Sequence, residues 1–498
     1  MTYEGVLALA ERLAAAPHAP APEDLPPSLA GIDYDAYRQI RFRKDAAPRL
    51  GKTFSVQLFH RGFLQRKRVD LFLQPRDGAP KRLGYASGQF DLGPTLAGKS
   101  FPPELGFAGF RLHHAFDKAR PDFQEEFLVF LGASYFRLRG QSQEYGLSAR
   151  GIAVGTGLPA PEEFPDFTTH WLCEPDEGEK SVTILSLLDG PSLSGAYRFV
   201  VTPGEPARMA VTASLFPRKP IERLGLAPLT SMFLHGQNGP GIRDAVPFDD
   251  FRPEVHDSDG LVVETPGERL WRPLSNGRKA AQVSTFSADP LRGFGLLQRQ
   301  RDFSAYLDVQ ARHEARPGLF VEPAGSDPAA DAGFGAGAVQ LFEIPSREEW
   351  VDNIVAAFVR KEPVVAGKPL ALDYTLTTVG QEPAPGLPGD LARVVQARSA
   401  DAERLRPVKP PQPGRRLFAV DFLGPHLPTN GDAAVSASVS ASAGEMVEPI
   451  VEIVPQTGGW RLYVEWRPPA KLPAGDVVVR AHLVLDGRAV SETWDAVA

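Results

Sequence analysis

Apolar residues recur at every second position in segment after segment of this chain, and that period of two constrains the fold more than any other feature. A strand sends successive side chains to opposite faces, so such segments read as half-buried β-strands. Phe54, Val56 and Leu58 share one face, with Ser55 and Gln57 on the other. Val69, Leu71 and Leu73 repeat the pattern around Asp70, and the strand-like run 197–202 stops at the turn pair Pro203-Gly204. Near the end, Trp460, Leu462, Val464 and Trp466 face one way while Arg461, Tyr463, Glu465 and Arg467 face the other. Val479, Ala481, Leu483 and Leu485 then lead into Asp486-Gly487, a hairpin signal. The Ser/Ala/Val alternation of 436–442 reads as a strand of small side chains. Helical patterns are few and short: 4–14, with Val6, Leu9, Ala10 and Leu13 on one face, 33–40 with Asp33 as N-cap, and 389–404. The 47 glycines and 48 prolines supply the turns that many short strands need. The fold class is all-β.

A chain of 498 residues spans two or three domains at about 150 residues each. The boundary is placed at Arg404–Arg416, where four prolines and a glycine in a charged setting make a stiff, solvated connector. The expected division is a large β-sandwich over 1–395, a Pro-rich linker over 396–416, and a small immunoglobulin-like sandwich over 417–498. The stretch 324–335 reads as a loop.

Several function classes drop out early. A formal net charge of −7 lacks the basic surplus of a nucleic-acid binder. Cys173 is the only cysteine, so no intramolecular disulfide or cysteine-built metal site can form. No apolar run approaches the roughly 18 residues that span a bilayer, and Glu4, Glu11 and Arg12 interrupt the N-terminal segment where a signal peptide would be apolar. Gly155-Thr-Gly157 imitates a dinucleotide fingerprint, but Pro159 and Pro161 forbid the helix that would hold a pyrophosphate. Asp257-Ser-Asp-Gly260 is too short of acids for an EF-hand loop, and His113-His114 has no partner at metal spacing.

Two carboxylate-bearing segments stand out. Phe251–Gly260 carries five ionisable residues in ten, bracketed by prolines and a glycine. In Glu343–Val355, Asp352-Asn353 leads straight into the apolar run 354–359. An acid at the mouth of a buried strand can be partly desolvated, which raises its pKa toward that of a working general acid. Between the two lie Trp271-Arg-Pro273 and the run Leu297–Phe303, which holds Arg299, Arg301, Asp302 and Phe303. Sugar-binding grooves use that mixture, aromatic faces for pyranose rings and Arg or Asp for hydroxyls; solvated ion pairs in loops share it.

These segments also carry a resemblance. Phe107–Leu112, Phe130–Arg137, Tyr145–Ala153, Ser231–Leu234, Arg252–Asp257, Trp271–Leu274, Gly293–Arg299, Arg301–Ser304, Asp352–Val355, Gly459–Leu462 and Ser491–Trp494 resemble, in order and over nearly the whole chain, the osmoregulated periplasmic glucan biosynthesis family, branches G and D. The resemblance implies a galactose-mutarotase-like sandwich followed by an immunoglobulin-like domain, a periplasmic location with a secretion leader in the native precursor, and no metal or organic cofactor. It implies action on linear β-1,2-glucan with anomeric inversion, by hydrolysis or by transfer that closes a ring. By motif position it places the general acid at Asp352 and the general base at Asp257. Glu254, His256, His313 and Arg316 are second-tier candidates near them, and Trp271, Arg299, Arg301, Asp302 and Phe303 are groove candidates. Where hydrolytic members tend to read Arg-Tyr-Asp-Leu-Arg-Pro, this chain reads Arg312-His-Glu-Ala-Arg-Pro317. His313 thus replaces a tyrosine expected in the base's proton relay. The alternatives are a non-catalytic glucan-binding scaffold working with a membrane glucan synthase, and a mutarotase-like epimerase.

Overall fold

The computed structural model describes all residues except 21–23, 118–119, 121–122, 239–249, 278–279, 325–332 and 431–433; most of the loop expected at 324–335 thus lies outside the described residues. Strand accounts for 44% of the chain and helix for 9%, which makes the protein all-β. The chain forms two compact units: Met1–Leu229 with Val321–Ala338 and Ala357–Thr378, and Thr230–Phe320 with Val339–Ala356 and Val379–Ala498.

The first unit is a sandwich. One layer pairs Phe54–Phe59, Gly109–His114, Glu125–Leu131 and Tyr135–Leu138 antiparallel. The other pairs Asp166–Cys173, Val182–Asp189, Leu193–Thr202 and Arg208–Pro217. Aromatic rings join the layers: Phe130 meets Phe199 at 5.2 Å and Phe167 at 5.9 Å. The expected polar face of the first strand is covered as well. Ser55 and Gln57 are buried with their polar groups satisfied: Ser55 donates to Gln124, and Arg111 donates to Gln57 and to Glu126 at 2.8 Å each. The N-terminal helix forms as expected, Tyr3–Ala14, capped by Thr2, and its buried Val6 and Ala10 lie on the second layer. Asp33 caps Tyr34–Arg38 by accepting from Ala36 N–H at 2.8 Å.

The second unit holds both flagged acidic segments. Gly260–Glu264 pairs with Arg269–Pro273 on one side and Gly293–Leu297 on the other. Arg269–Pro273 in turn pairs in parallel with Thr493–Val497, which continues to Val478–Leu485 and Ser436–Ala441. A separate ladder runs Arg393–Asp401, Arg416–Leu423, Gly459–Arg467, with Ile450–Val454 on its far side. Trp460, Leu462, Val464 and Trp466 are buried as the alternation requires. They share one core with Phe418, Val479, Ala481, Leu483, Trp494 and Trp271. Asp486 and Gly487 take φ of +51° and +73° in the hairpin turn, a conformation Asp and Gly accept at little cost.

Two expectations change here. The helix over 389–404 is instead the strand Arg393–Asp401, followed by the single turn Ala402–Leu405. Leu391, Ala392, Val394, Val395 and Ala397 imitate a helical stripe, but ladder bonds to Arg416–Leu423 outweigh a pattern this short. The first residues of the expected connector 396–416 are therefore paired strand, and only 406–415 lacks a regular element.

Candidate functional site

The site is built from four chain segments of the second unit. The short strands Phe233–His235 and Val255–His256 pair antiparallel, Phe233 opposite His256. Asp257 then donates its N–H to Met232 O at 2.8 Å. On the other side, Phe233 N–H donates to Asn353 Oδ1 at 2.8 Å, and Asn353 Nδ2 donates to Phe233 O and Ile344 O at 3.0 Å each. Residues 232–233 thus form a backbone bridge between the segment carrying Asp257 and the segment carrying Asp352. The buried amide of Asn353 is its rivet.

Asp257 is buried at 7% exposure. Arg316 Nη1 donates to its Oδ1, and His313 Nδ1 lies 3.4 Å from the same oxygen. Burial alone would raise its pKa; the His313 contact and the Arg316 charge outweigh that and hold it below the ordinary aspartate value. The carboxylate is therefore ionised at neutral pH, which suits a proton acceptor.

His313 is fully buried. Its other nitrogen, Nε2, is 3.7 Å from Glu349 Oε1. At these distances the contacts are ion pairs rather than hydrogen bonds. Burial would lower the pKa of the ring, but the facing carboxylates of Asp257 and Glu349 raise it above its ordinary value. Glu349 is held down to about 2 by His313 and by Arg252. Arg252 donates to Glu349 at 2.8 and 3.2 Å, to Asp250 at 2.7 Å and to Asp308 at 3.0 Å. A run of alternating charge therefore extends from Arg316 through Asp257, His313, Glu349 and Arg252 to two further aspartates.

The backbone that presents His313 is unusual. Leu307 and Arg312 adopt φ of +56° and +48°, left-handed values that non-glycine residues rarely take. Arg301 holds the turn, donating to Glu314 O at 3.0 Å and Arg316 O at 2.6 Å. Gln298 Nε2 donates to His256 O at 2.8 Å and His313 O at 3.3 Å. Its Oε1 must then accept from His256 Nδ1 at 2.8 Å, which fixes a proton on that nitrogen. His256 Nε2 meets Glu254 at 2.9 Å, and the ring is stacked on Phe233 at 5.2 Å. His256 and Glu254 support the floor of the site.

Other candidates are placed differently. Asp352 is exposed, while Asn353 beside it is buried; the desolvation expected of the acid is not supplied by the fold. Trp271 is 4% exposed and its ring packs against Gly260, where an added Cβ would fall 2.1 Å from it. Arg299 lies over Trp271 at 3.7 Å and spends all five N–H groups on Glu382, Glu492 and Val394 O. No donor remains for a sugar hydroxyl. A cavity of about 30 Å³ beside Trp271, Arg299, His256 and Glu254 has room for a water or two, not a pyranose. Asp302 caps the turn Phe303–Tyr306 by accepting from Ser304 N–H at 2.9 Å, and Phe303 is 45% exposed. A cleft of about 650 Å³ in this unit is lined by paired charges, Arg272 with Asp495 and Arg480 with Glu268, and by neither acid. Among the described residues, no group of three or more His, Cys, Asp or Glu is placed to hold a metal ion.

Glu349, Arg252, Gln298 and Asn353 escaped the candidate set because single polar residues in loops look alike in a sequence. Trp350 also escaped it. At 82% it is the most exposed of the large apolar side chains among the described residues, two residues before Asp352. The signal that existed was the density of charge in 251–260 and 343–355.

Comparison with known proteins adds the family. Residues 1–497 match the model of MdoG, described as periplasmic glucan biosynthesis protein. A "glucans biosynthesis protein G" from Shewanella frigidimarina is 41% identical over 492 residues, covering 98% of this chain and 83% of its own length. One from Rhodopseudomonas palustris is 40% identical, covering 98% and 91%. A "probable glucans biosynthesis protein D" from Shewanella oneidensis is also 40% identical, covering 95% and 84%.

Proposed function

The chain belongs to the MdoG family of periplasmic glucan biosynthesis proteins, and from that premise we propose that it is a β-1,2-glucan-processing enzyme of inverting type, working in the periplasm. The observation that carries this reading is Asp257, a buried carboxylate kept ionised by Arg316 and His313 and joined through residues 232–233 to the segment of Asp352. Asp257 is the base. It takes a proton from water, or from a glucan hydroxyl, as that oxygen attacks the anomeric carbon. Asp352 is the acid, giving its proton to the departing sugar oxygen.

Because Asp352 is exposed, the glucan itself must cover it, and burial under bound sugar then favours the protonated acid. An exposed acid also suits the alternative, a glucan-binding protein that passes the polymer from a membrane synthase to other enzymes. The two readings separate in one experiment. The purified protein is incubated with linear β-1,2-glucan and the products are resolved by mass, with Asp352→Asn and Asp257→Asn alongside. The expected outcome is turnover by the wild type only, with both variants at least ~100-fold slower and still able to bind glucan. Shorter chains each carrying one added water indicate hydrolysis; products that are whole multiples of anhydroglucose indicate transfer within one chain. Wild-type protein that binds glucan and never changes its mass favours the scaffold.

A further inference from the structure

The groups around Asp257 are one-sided. Arg316 and His313 both approach Oδ1. Neither nitrogen of the His313 ring has a normal hydrogen-bond partner, although both are buried, so the ring is turned by the carboxylates that face it, Asp257 at 3.4 Å and Glu349 at 3.7 Å. Glu349 cannot drift, because Arg252 grips both its oxygens and is itself anchored to Asp250 and Asp308.

Resting on the reading of Asp257 as base, we propose that Glu349 is a positioning residue: through His313 it holds Asp257 with Oδ1 engaged, so that Oδ2 receives the proton of the attacking hydroxyl. In that step the hydroxyl oxygen bonds to the anomeric carbon and its proton goes to Oδ2. The bond from the anomeric carbon to the leaving oxygen breaks, and that oxygen takes the Asp352 proton. Solvent then removes one proton from Asp257 and returns one to Asp352.

The arrangement has a pH signature. The charged groups facing the ring are Asp257, Glu349 and Arg316, with Arg252 behind Glu349 and the Tyr306 ring packed at 5.5 Å. While His313 is an imidazolium its positive charge attracts both carboxylates at once. Above its pKa that charge is lost, and Arg316 alone is left to hold Asp257. Activity therefore falls on the alkaline side as His313 deprotonates. Glu349→Gln removes one of the two anions that stabilise the imidazolium, so that limb moves to lower pH.

The test compares wild type, Glu349→Gln and Glu349→Asp on linear β-1,2-glucan, with the titration of His313 followed by NMR. Glu349→Gln is expected to lower kcat ~10–100-fold with KM little changed, to shift the alkaline limb down by ~1 pH unit, and to shift the His313 titration with it. Glu349→Asp keeps the charge but draws it back from the ring, and is expected to fall between; it also serves if the Gln variant does not fold. An unmoved His313 titration, or an unmoved alkaline limb in an active variant, overturns the proposal. A shifted titration in a protein with no glucan turnover leaves the positioning contact standing and removes the catalytic reading instead.

Discussion

At the scale of one residue, Trp350 offers a direct test of the proposed glucan binding. The other five tryptophans, at 171, 271, 460, 466 and 494, are each 4% exposed or less. Quenching of tryptophan emission by a soluble quencher in the folded protein therefore reports Trp350 almost alone. Its indole N–H is tied to Glu348 at 3.1 Å, which orients the ring at the rim of the loop that carries Glu349 and Asp352. Stacking of a glucose face on this ring should shield it, so linear β-1,2-glucan is expected to reduce quenching. Trp350→Ala is expected to raise KM about 5–10-fold, the loss of an aromatic contact of ~1 kcal/mol, with little change in kcat. Quenching that is indifferent to glucan, with an unchanged KM, would remove Trp350 from the binding surface. At this scale the sequence was a partial guide. Asp257 and Asp352 came from the family resemblance, and local charge density marked their segments. The pairing of His313 with Glu349 was invisible, because it depends on the left-handed turn at Arg312 and on contacts across 36 positions of chain.

The element scale explains why the groove candidates moved. The mixture of aromatic, Arg and Asp residues marked Trp271 as a groove candidate, but whether its face meets sugar or core depends on which strands stack over it. Gly260, two residues along the paired strand from Trp271's partner Val262, leaves room for the ring, and Arg299 lies over it. Arg299 joins the strand end after Leu297 to the strand at Val394 and to Glu492. Burial of this guanidinium between two carboxylates is favourable only while all three are present, since a lone buried charge is costly. Arg299→Met should therefore cost about 3–5 kcal/mol of stability, read as a lowered urea midpoint at unchanged slope. A binding role in a groove would instead raise KM and leave the midpoint in place. The same contest between local pattern and pairing explains 393–401. Its apolar residues fit a helix or a strand about equally, and the partner strand at 416–423 is fixed only by tertiary structure.

On the scale of the molecule, the second unit carries the candidate site and its C-terminal strands in one packing. Thr493 and Trp494 pair with Leu270 and Trp271, Asp495 accepts from Arg272 at 2.5 Å, and Glu492 holds Arg299. The C-terminal segment thus supports the strands next to the candidate base. The all-β class was legible because a period of two survives any arrangement of sheets. The pairing of the C-terminal strands with residues 269–273 was not, because parallel partners more than 200 positions apart leave no local mark.

The central claim is that Asp257 and Asp352 act on opposite faces of the anomeric carbon, and the stereochemistry of the first product tests it. Linear β-1,2-glucan is incubated with the protein in an NMR tube and anomeric protons are followed from the earliest time points, before free reducing ends equilibrate. Inversion at a β-linked carbon predicts a new α-anomeric signal, on a free reducing end after hydrolysis or on a new linkage after transfer. A first product that keeps the β configuration would contradict the account.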